Sequence, residues 1–472
     1  MSMKLRSQDH QGTLWIAHNA IAKSPGHPFY VKLERVLREA GFDAFVEGEC
    51  APYYAERQGR PSIPPGVYFR LLLIGYFERI NSERGICWRC ADSLSLRHFL
   101  GVNLDSETPH HSSLSRIRGR LPLEVHEAVF GWVLRVLAEK GLIDGKTIGV
   151  DATTLEANAA LRSIVRRDTE ESYESFLTGL AQASGIDTPT RSDLVKLDKK
   201  RPKKGSNKDW KNPHDPDAEI TKMKDGSTHL AHKAEHAVDM SGDGAVLSVT
   251  LHGGAKGDTK SLPATLDKAQ ENLDELVDDP DVGEMLHEDA GREIVADKGY
   301  HGNDMLLALT KEEYRTYISE PDRGRRKWKD KAVEQRVTYA NRRRIRGTRG
   351  KRLIRQRGEL LERPFAHYLD AGGMRRTHLR GQTNILKRLL VHVAGFNLGL
   401  LMRKLLGVGT PKEYAALPGR LLDALARQLE RLSVAIGFTR VIDRLFGWMK
   451  QRAIIHRDIG ALYEFNAFST GC

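Results

Sequence analysis

Three acidic residues stand where side chains can do chemistry. Asp297 follows the apolar run Arg292-Glu293-Ile294-Val295-Ala296 and precedes Lys298-Gly299-Tyr300-His301-Gly302. The pattern reads as a strand that ends on a carboxylate, breaks at two glycines and enters an amphipathic helix over 303–309. Asp151 repeats the arrangement, closing Lys146-Thr147-Ile148-Gly149-Val150 ahead of Ala152-Thr153-Thr154. Glu362 lies in a helical stretch, 357–367, with Phe365 three positions on, so it shares a side with residues that pack on a core. Glu359, one turn earlier, is the alternative glutamate. An aspartate at a strand end also serves as a turn former or helix cap. Two such carboxylates and a helical glutamate in one domain predict a shared site. Oxygen donors of this kind suit Mg²⁺, which keeps several waters and needs no histidine or cysteine cage.

The three motifs Gly149-Val150-Asp151-Ala152-Thr153, Ala296-Asp297-Lys298-Gly299-Tyr300 and Leu361-Glu362-Arg363-Pro364-Phe365 resemble, in order and context, the acidic motifs of bacterial insertion-sequence DDE transposases. The likeness extends to Thr228-His229-Leu230-Ala231-His232-Lys233-Ala234-Glu235-His236, to 375–381 and to the N-terminal helical region, covering roughly residues 28–405. It implies an α/β catalytic core of ribonuclease-H-like type, a mixed sheet flanked by helices, with an all-α N-terminal domain and a helical C-terminal tail. It implies cleavage of DNA at the ends of an insertion sequence and strand transfer into a target. Asp151, Asp297 and Glu362 would be both the catalytic residues and the ligands of Mg²⁺ or Mn²⁺, two ions in all. Double-stranded DNA with terminal inverted repeats is the implied partner, bound by a homo-oligomer because two ends must be paired. Lys298, Arg375, Arg376 and Arg380 would hold phosphates through charge-assisted contacts. The family pattern breaks at two helper positions, where a basic residue after the glutamate is replaced by Leu369 and an arginine before it by Gly358; Arg355 and Arg357 are the alternatives. Two other readings compete, a ribonuclease-H-like nuclease that cuts without joining and a catalytically inert DNA-binding regulator.

The elements that must position these residues follow from periodicity. Residues 1–27 read as a polar leader, and 28–142 as a helical, DNA-binding domain, with apolar residues at three and four spacing and Pro64-Pro65 marking a helix start. Arg116 and Arg120 share one face of a helix there and are candidates for DNA contact. The catalytic domain runs over 143–405, with an insertion at about 161–217 that is helical first and then, over 196–217, a flexible loop rich in Lys, Pro, Asn and Asp. A hairpin follows, 228–240 and 245–252, joined by Ser241-Gly242-Asp243-Gly244. Gly253-Gly254-Ala255-Lys256-Gly257-Asp258 lacks Walker spacing and reads as a turn outside any strand-loop-helix context; Gly347-Thr348-Arg349-Gly350-Lys351-Arg352 lacks it too, so no nucleotide cofactor is expected. Residues 406–472 read as an amphipathic helical tail.

Composition narrows the class. The 472 residues, 40% apolar, suffice for two or three domains. The most apolar stretch, 384–406, is interrupted by Lys387, Arg388, Arg403 and Lys404, so no membrane span is expected, and the N-terminus has no apolar signal core. Bacterial cytoplasmic residence, in association with the nucleoid, is the expectation. Four cysteines are too few for a disulfide framework, and Cys87-Trp88-Arg89-Cys90 has no second ligand pair, which predicts reduced helix cysteines. The net charge of +12 is unevenly spread: residues 323–357 hold sixteen Lys and Arg against Asp330 and Glu334. Arg342, Arg343 and Arg344 in that run are candidate DNA contacts.

Overall fold

A computed structural model describes residues 26–55, 62–201, 205–223, 225–324 and 326–417. The expected leader and most of the expected tail lie outside the described residues. The chain divides into two compact units, one reaching Leu398 and one beginning at Gly399.

The first unit opens with seven helices, α1 (Pro28–Glu39), α2 (Phe42–Cys50), α3 (Pro65–Phe77), α4 (Glu83–Ala91), α5 (Leu94–Phe99), α6 (His111–Arg120) and α7 (Leu123–Glu139). Proline at the first position of α1 and α3 costs no hydrogen bond, because that N–H has no helical partner in any case. Phe29, Tyr30, Leu33, Val36 and Leu37 form the buried stripe of α1, whereas α3 is buried all round and is the hub of this layer. Its Arg70 is buried yet held by Glu34 and Asp43. Cys50, Cys87 and Cys90 are free and buried, and burial pushes the Cys90 thiol up to about 12, so the Cys-x-x-Cys pair is inert packing.

The chain then runs through β1 (Thr147–Glu156), β2 (Val165–Arg166), α8 (Tyr173–Ala183), α9 (Arg191–Lys200), β3 (Trp210–Lys211), β4 (Glu219–Lys222), β5 (Thr228–Asp239), β6 (Val246–Gly253), α10 (Asp258–Asp278), β7 (Glu293–Ala296), α11 (Asn303–Lys311), β8 (Arg315–Ile318), α12 (Ala332–Arg346), α13 (Thr348–Phe365) and α14 (Gln382–Leu406), with α15 (Pro411–Ala415) in the second unit. β5 is the long central strand. One edge pairs antiparallel with β1; the other pairs antiparallel with β4 over its first residues and with β6 over the rest. β7 and then β8 join the far edge of β1 in parallel. All four residues of β7 are buried, as a parallel strand covered on both faces requires. α10 packs on β5 and β6, and α13 packs on β1 and β7. The result is a mixed sheet flanked by helices, an α/β core beside a helical layer.

Three expectations need correction. The insertion expected as helix and then flexible loop has its own small core: Trp210, Ile164, Ala157, Ala218 and Leu230 cluster with Tyr173 and Phe176 packed against them, and α9 begins with a Thr190–Asp193 capping box. Residues 202–204, at the centre of the expected loop, lie outside the described residues. β1 does not stop at Asp151; it continues to Glu156 against β5. Gly254–Gly257 does lie between an apolar strand and a long helix, β6 and α10, so strand-loop-helix context is present although Walker spacing is not. Pro364 sits in the last turn of α13, and a π-helical turn over Ala366–Ala371 follows it. α14 is long and apolar enough to cross a membrane, but 94% of that apolar window is buried within the protein.

Candidate active site

The parallel ladder between β1 and β7 ends at Val150 opposite Ala296. The next residue on each strand is Asp151 and Asp297, so the register sets the two half-buried carboxylates side by side where the strands part. β7 leaves the sheet here, while β1 is still held by β5, Asp151 lying opposite His236. Asp297 caps the following turn by accepting the Gly299 N–H at 2.8 Å, and has no ion-pair partner among the described residues. Asp151 accepts the Ala152 N–H at 2.8 Å and meets Arg357 Nη1 of α13 at 3.5 Å. Two glycines permit this closeness. A Cβ on Gly149 would stand 2.6 Å from both Leu361 Cδ1 and Met240 Sδ, so only glycine lets α13 approach β1 beside Asp151. A Cβ on Gly299 would stand 2.2 Å from Asp258 Oδ2 and 3.0 Å from Asp297 Oδ1. Those two carboxylates therefore crowd the same point, and Asp258, which opens α10, belongs to the neighbourhood.

Beneath the Asp297 turn lies a buried polar network. Glu235 of β5, fully buried, accepts from Ser261 Oγ at 2.6 Å, Thr265 Oγ1 at 2.6 Å and Tyr300 Oη at 2.9 Å. Lys233, two residues earlier on the same strand face, donates to Asp258 at 2.6 Å and Ser261 at 2.7 Å. A buried charge is tolerated only when paired and hydrogen-bonded, and every member here is. Tyr300 thus ties the turn after Asp297 to β5 and α10; burial, and then Glu235, raises its phenol far above the ordinary range, so it stays a donor. The sequence carried a signal for this network in Lys233 and Glu235, two charges on one face of a strand with Ala231 and Ala237 on either side, but not its partners on α10.

The opposite face of β5 is aromatic. His236 stacks on Phe365 at 3.7 Å and meets Tyr368 Oη at 2.7 Å. Burial pushes its imidazole down to about 3, so it is neutral. Phe365 therefore faces the sheet, but Glu362, expected to share its side, does not. Glu362 itself is exposed and has no hydrogen-bond or ion-pair partner among the described residues, whereas Glu359 is engaged by Arg363 at 3.0 Å. The fold thus adjoins Asp151 and Asp297 without drawing Glu362 into contact with them. No group of three or more His, Cys, Asp or Glu side chains suited to a metal ion occurs among the described residues. The Asp151 and Asp297 pair, all hard oxygen, fits a cation such as Mg²⁺ that takes one or two carboxylates and keeps its waters.

The candidate DNA contacts separate by how they are engaged. Among the described residues, Lys298 and Arg343 are exposed and have no side-chain partner, and Arg116 bonds Ser112 within its own helix. Arg120 lies over the Tyr54 ring at 4.9 Å. Arg375 spans Asp370 and Thr153, Arg376 lies 3.6 Å from Glu156, and Arg380 donates to the Asn158 carbonyl, all three exposed. Arg342 and Arg344, by contrast, are internal braces. Arg342 grips Glu320 with two hydrogen bonds, and Arg344 bonds both the carbonyl and hydroxyl of Thr316 on β8 at 2.8 Å. Their expected role as DNA contacts conflicts with these bonds, because a guanidinium fixed inside the fold presents less of its charge to a phosphate. Arg357, one of the two helper alternatives, does reach Asp151; Arg355 is exposed on α13.

Residues 18–120 match a family model described as a transposase domain (DUF772). The match supports a transposase family, and with it a part in transposition and an association with DNA. It falls on the helical layer, over well under half of the chain, and not on the sheet that carries Asp151 and Asp297. No curated protein matches the chain.

Proposed function

We propose that this chain is a DDE-type DNA transposase, which cleaves the ends of an insertion sequence and transfers them to a target, with Asp151 and Asp297 as the carboxylates at its centre and Glu362 as the third. The observation that carries the reading is the register of β1 and β7, which ends both strands' shared ladder one residue before an aspartate. The order of the sheet, three antiparallel strands followed by two parallel ones, supports a ribonuclease-H-like core. Divalent cations held by such carboxylates activate a water or 3′-hydroxyl and neutralise charge on the leaving oxygen. The chain's own residues supply the rest. Tyr300 and Gly299 fix the Asp297 turn, Gly149 seats α13 beside Asp151, and Arg357 orients the Asp151 carboxylate. Exposed Lys298, Arg375 and Arg376 are placed to bind the scissile strand's phosphates, which gives affinity without sequence information.

The test is Mg²⁺-dependent cleavage of the terminal DNA of the flanking element. Asp151→Asn and Asp297→Asn are expected to abolish cleavage and to leave DNA binding within a few fold. Glu362→Gln is expected to do the same, while Glu359→Gln retains at least about a tenth of the rate, a loss of about 1.4 kcal/mol. Cleavage that survives Asp297→Asn removes the strand-end pair from the reaction. Joining of pre-cleaved ends separates a transposase from a nuclease.

A further inference from the structure

Away from the carboxylates, a cavity of about 310 Å³ opens between the helical layer and the chain that follows the π-helical turn. Its lining is cationic, with Arg118, Arg376 and Arg388 set against a single carboxylate, Glu83, which Arg118 already engages. Arg388, on α14, is only 7% exposed. Its Nε donates to His392 Nε2 at 2.8 Å and one Nη2 reaches the Ile80 carbonyl at 3.4 Å, and no carboxylate lies within ion-pair distance of it among the described residues. His392 is no counter-ion: burial, and next the neighbouring guanidinium, drive its imidazole well below the ordinary value, so it is a neutral acceptor. A buried guanidinium without an anion is unfavourable by several kcal/mol, and the other buried arginine among the described residues, Arg70, is held by two carboxylates.

We infer that this cavity is an anion site for a phosphate group, with Arg388 at its floor and Arg118 and Arg376 at its mouth. Arg presents paired donors that match a tetrahedral oxyanion. Two further features suit that ligand. The loop wall, Gly373 to Leu379, adds Thr377 and His378, and Gly373 adopts a positive φ of 71° that packs it on Asn81. Arg376 is 67% exposed, its Glu156 contact is a loose 3.6 Å, and it is free to turn inward. The phosphate belongs either to a DNA strand or to a small phosphorylated molecule. The inference does not depend on the cleavage chemistry, because binding is read without any reaction.

Thermal melting of the full chain, titrated with inorganic phosphate against chloride at matched ionic strength, tests it. Phosphate is expected to raise the melting temperature saturably, because it binds the folded chain alone. Arg388→Gln and Arg376→Ala are each expected to weaken that apparent affinity at least about tenfold, with Arg388→Lys intermediate. If Arg388→Gln does not fold, the exposed Arg376→Ala carries the comparison. The second arm is the salt dependence of binding to a duplex of arbitrary sequence. A slope reduced by about one in Arg388→Gln identifies a DNA phosphate as the occupant, because Arg388 is buried at the cavity floor and reaches no other phosphate. An unchanged slope together with retained phosphate stabilisation identifies a small phosphorylated molecule. Absence of any saturable phosphate effect on the parent protein overturns the site.

Discussion

The basic run over 323–357 and the cavity wall over 373–392 hold their arginines in opposite conditions. In the first, sixteen cations crowd the sequence, yet several act inside the fold: Arg342 and Arg326 on Glu320, Arg344 on Thr316, Arg349 on the buried Glu293. In the second, the cations are few, and one of them, Arg388, is buried with no carboxylate within ion-pair distance among the described residues. Density of charge along the sequence is therefore a poor guide to charge available for a ligand. What matters is whether a carboxylate or carbonyl of the same chain already meets the guanidinium, and that is decided by which strand lies under which helix.

Acidification has the largest expected effect, and of the three histidines that carry it only His392 stands in the cavity wall. His126, His236 and His392 are buried and neutral, with burial lowering the first to about 4 and the second to about 3. The unfolded chain takes up these protons near pH 6.5 while the folded chain does not, so stability is full above that pH and falls below it. Urea unfolding at pH 5.5 should show about 4 kcal/mol less stability than at pH 7.5 from the three together, about 1.4 kcal/mol per residue for each unit below 6.5. The braces in the basic run hold no histidine. Burial pushes Glu293 up, but Arg349 and Thr147 outweigh it and hold its carboxyl below the ordinary range, so this brace keeps its charge to lower pH than an ordinary glutamate. A midpoint that does not move between pH 7.5 and 5.5 contradicts the neutral histidines.

Next in size is Arg349→Met. It strips the cation from Glu293, whose side chain is 7% exposed, and should lower stability by about 2 kcal/mol in the same urea measurement, a value reduced from that of a fully buried pair because Arg349 is 40% exposed. A loss under about 0.5 kcal/mol places Glu293 in contact with solvent. The smallest effect sharpens the comparison inside one helix. Arg344→Ala should cost about 1 kcal/mol of stability through its two bonds to Thr316 and leave the salt slope of DNA binding nearly unchanged, whereas Arg343→Ala should leave stability within about 0.5 kcal/mol and reduce the slope by about one. Reversal of these two outcomes means that the exposed guanidinium is the structural one.

The sequence alone determined the local facts. Strand-forming runs before Asp151 and Asp297, the hairpin over 228–252, the helix after Gly302 and the apolar stripes of the helical layer are all set by neighbours within a few positions, where backbone preference and side-chain period act directly. It also placed Phe365 against the sheet, but not the side on which Glu362 stands. Tertiary structure decided what neighbours in sequence cannot. The adjacency of Asp151 and Asp297 comes from a parallel register between strands separated by the insertion, the hairpin and α10. The order in the insertion comes from Trp210 clustering with Ala157 just after β1, Leu230 of β5 and Tyr173 and Phe176 of α8, a core too small and too scattered along the chain to show a period. The division of Arg342, Arg343 and Arg344 into brace, free cation and brace follows from the turn of α12 over β8, which gives three identical side chains three different surroundings. Hydrophobic period is a property of one element, whereas pairing of charges is a property of two, and only the packed chain brings the second to the first.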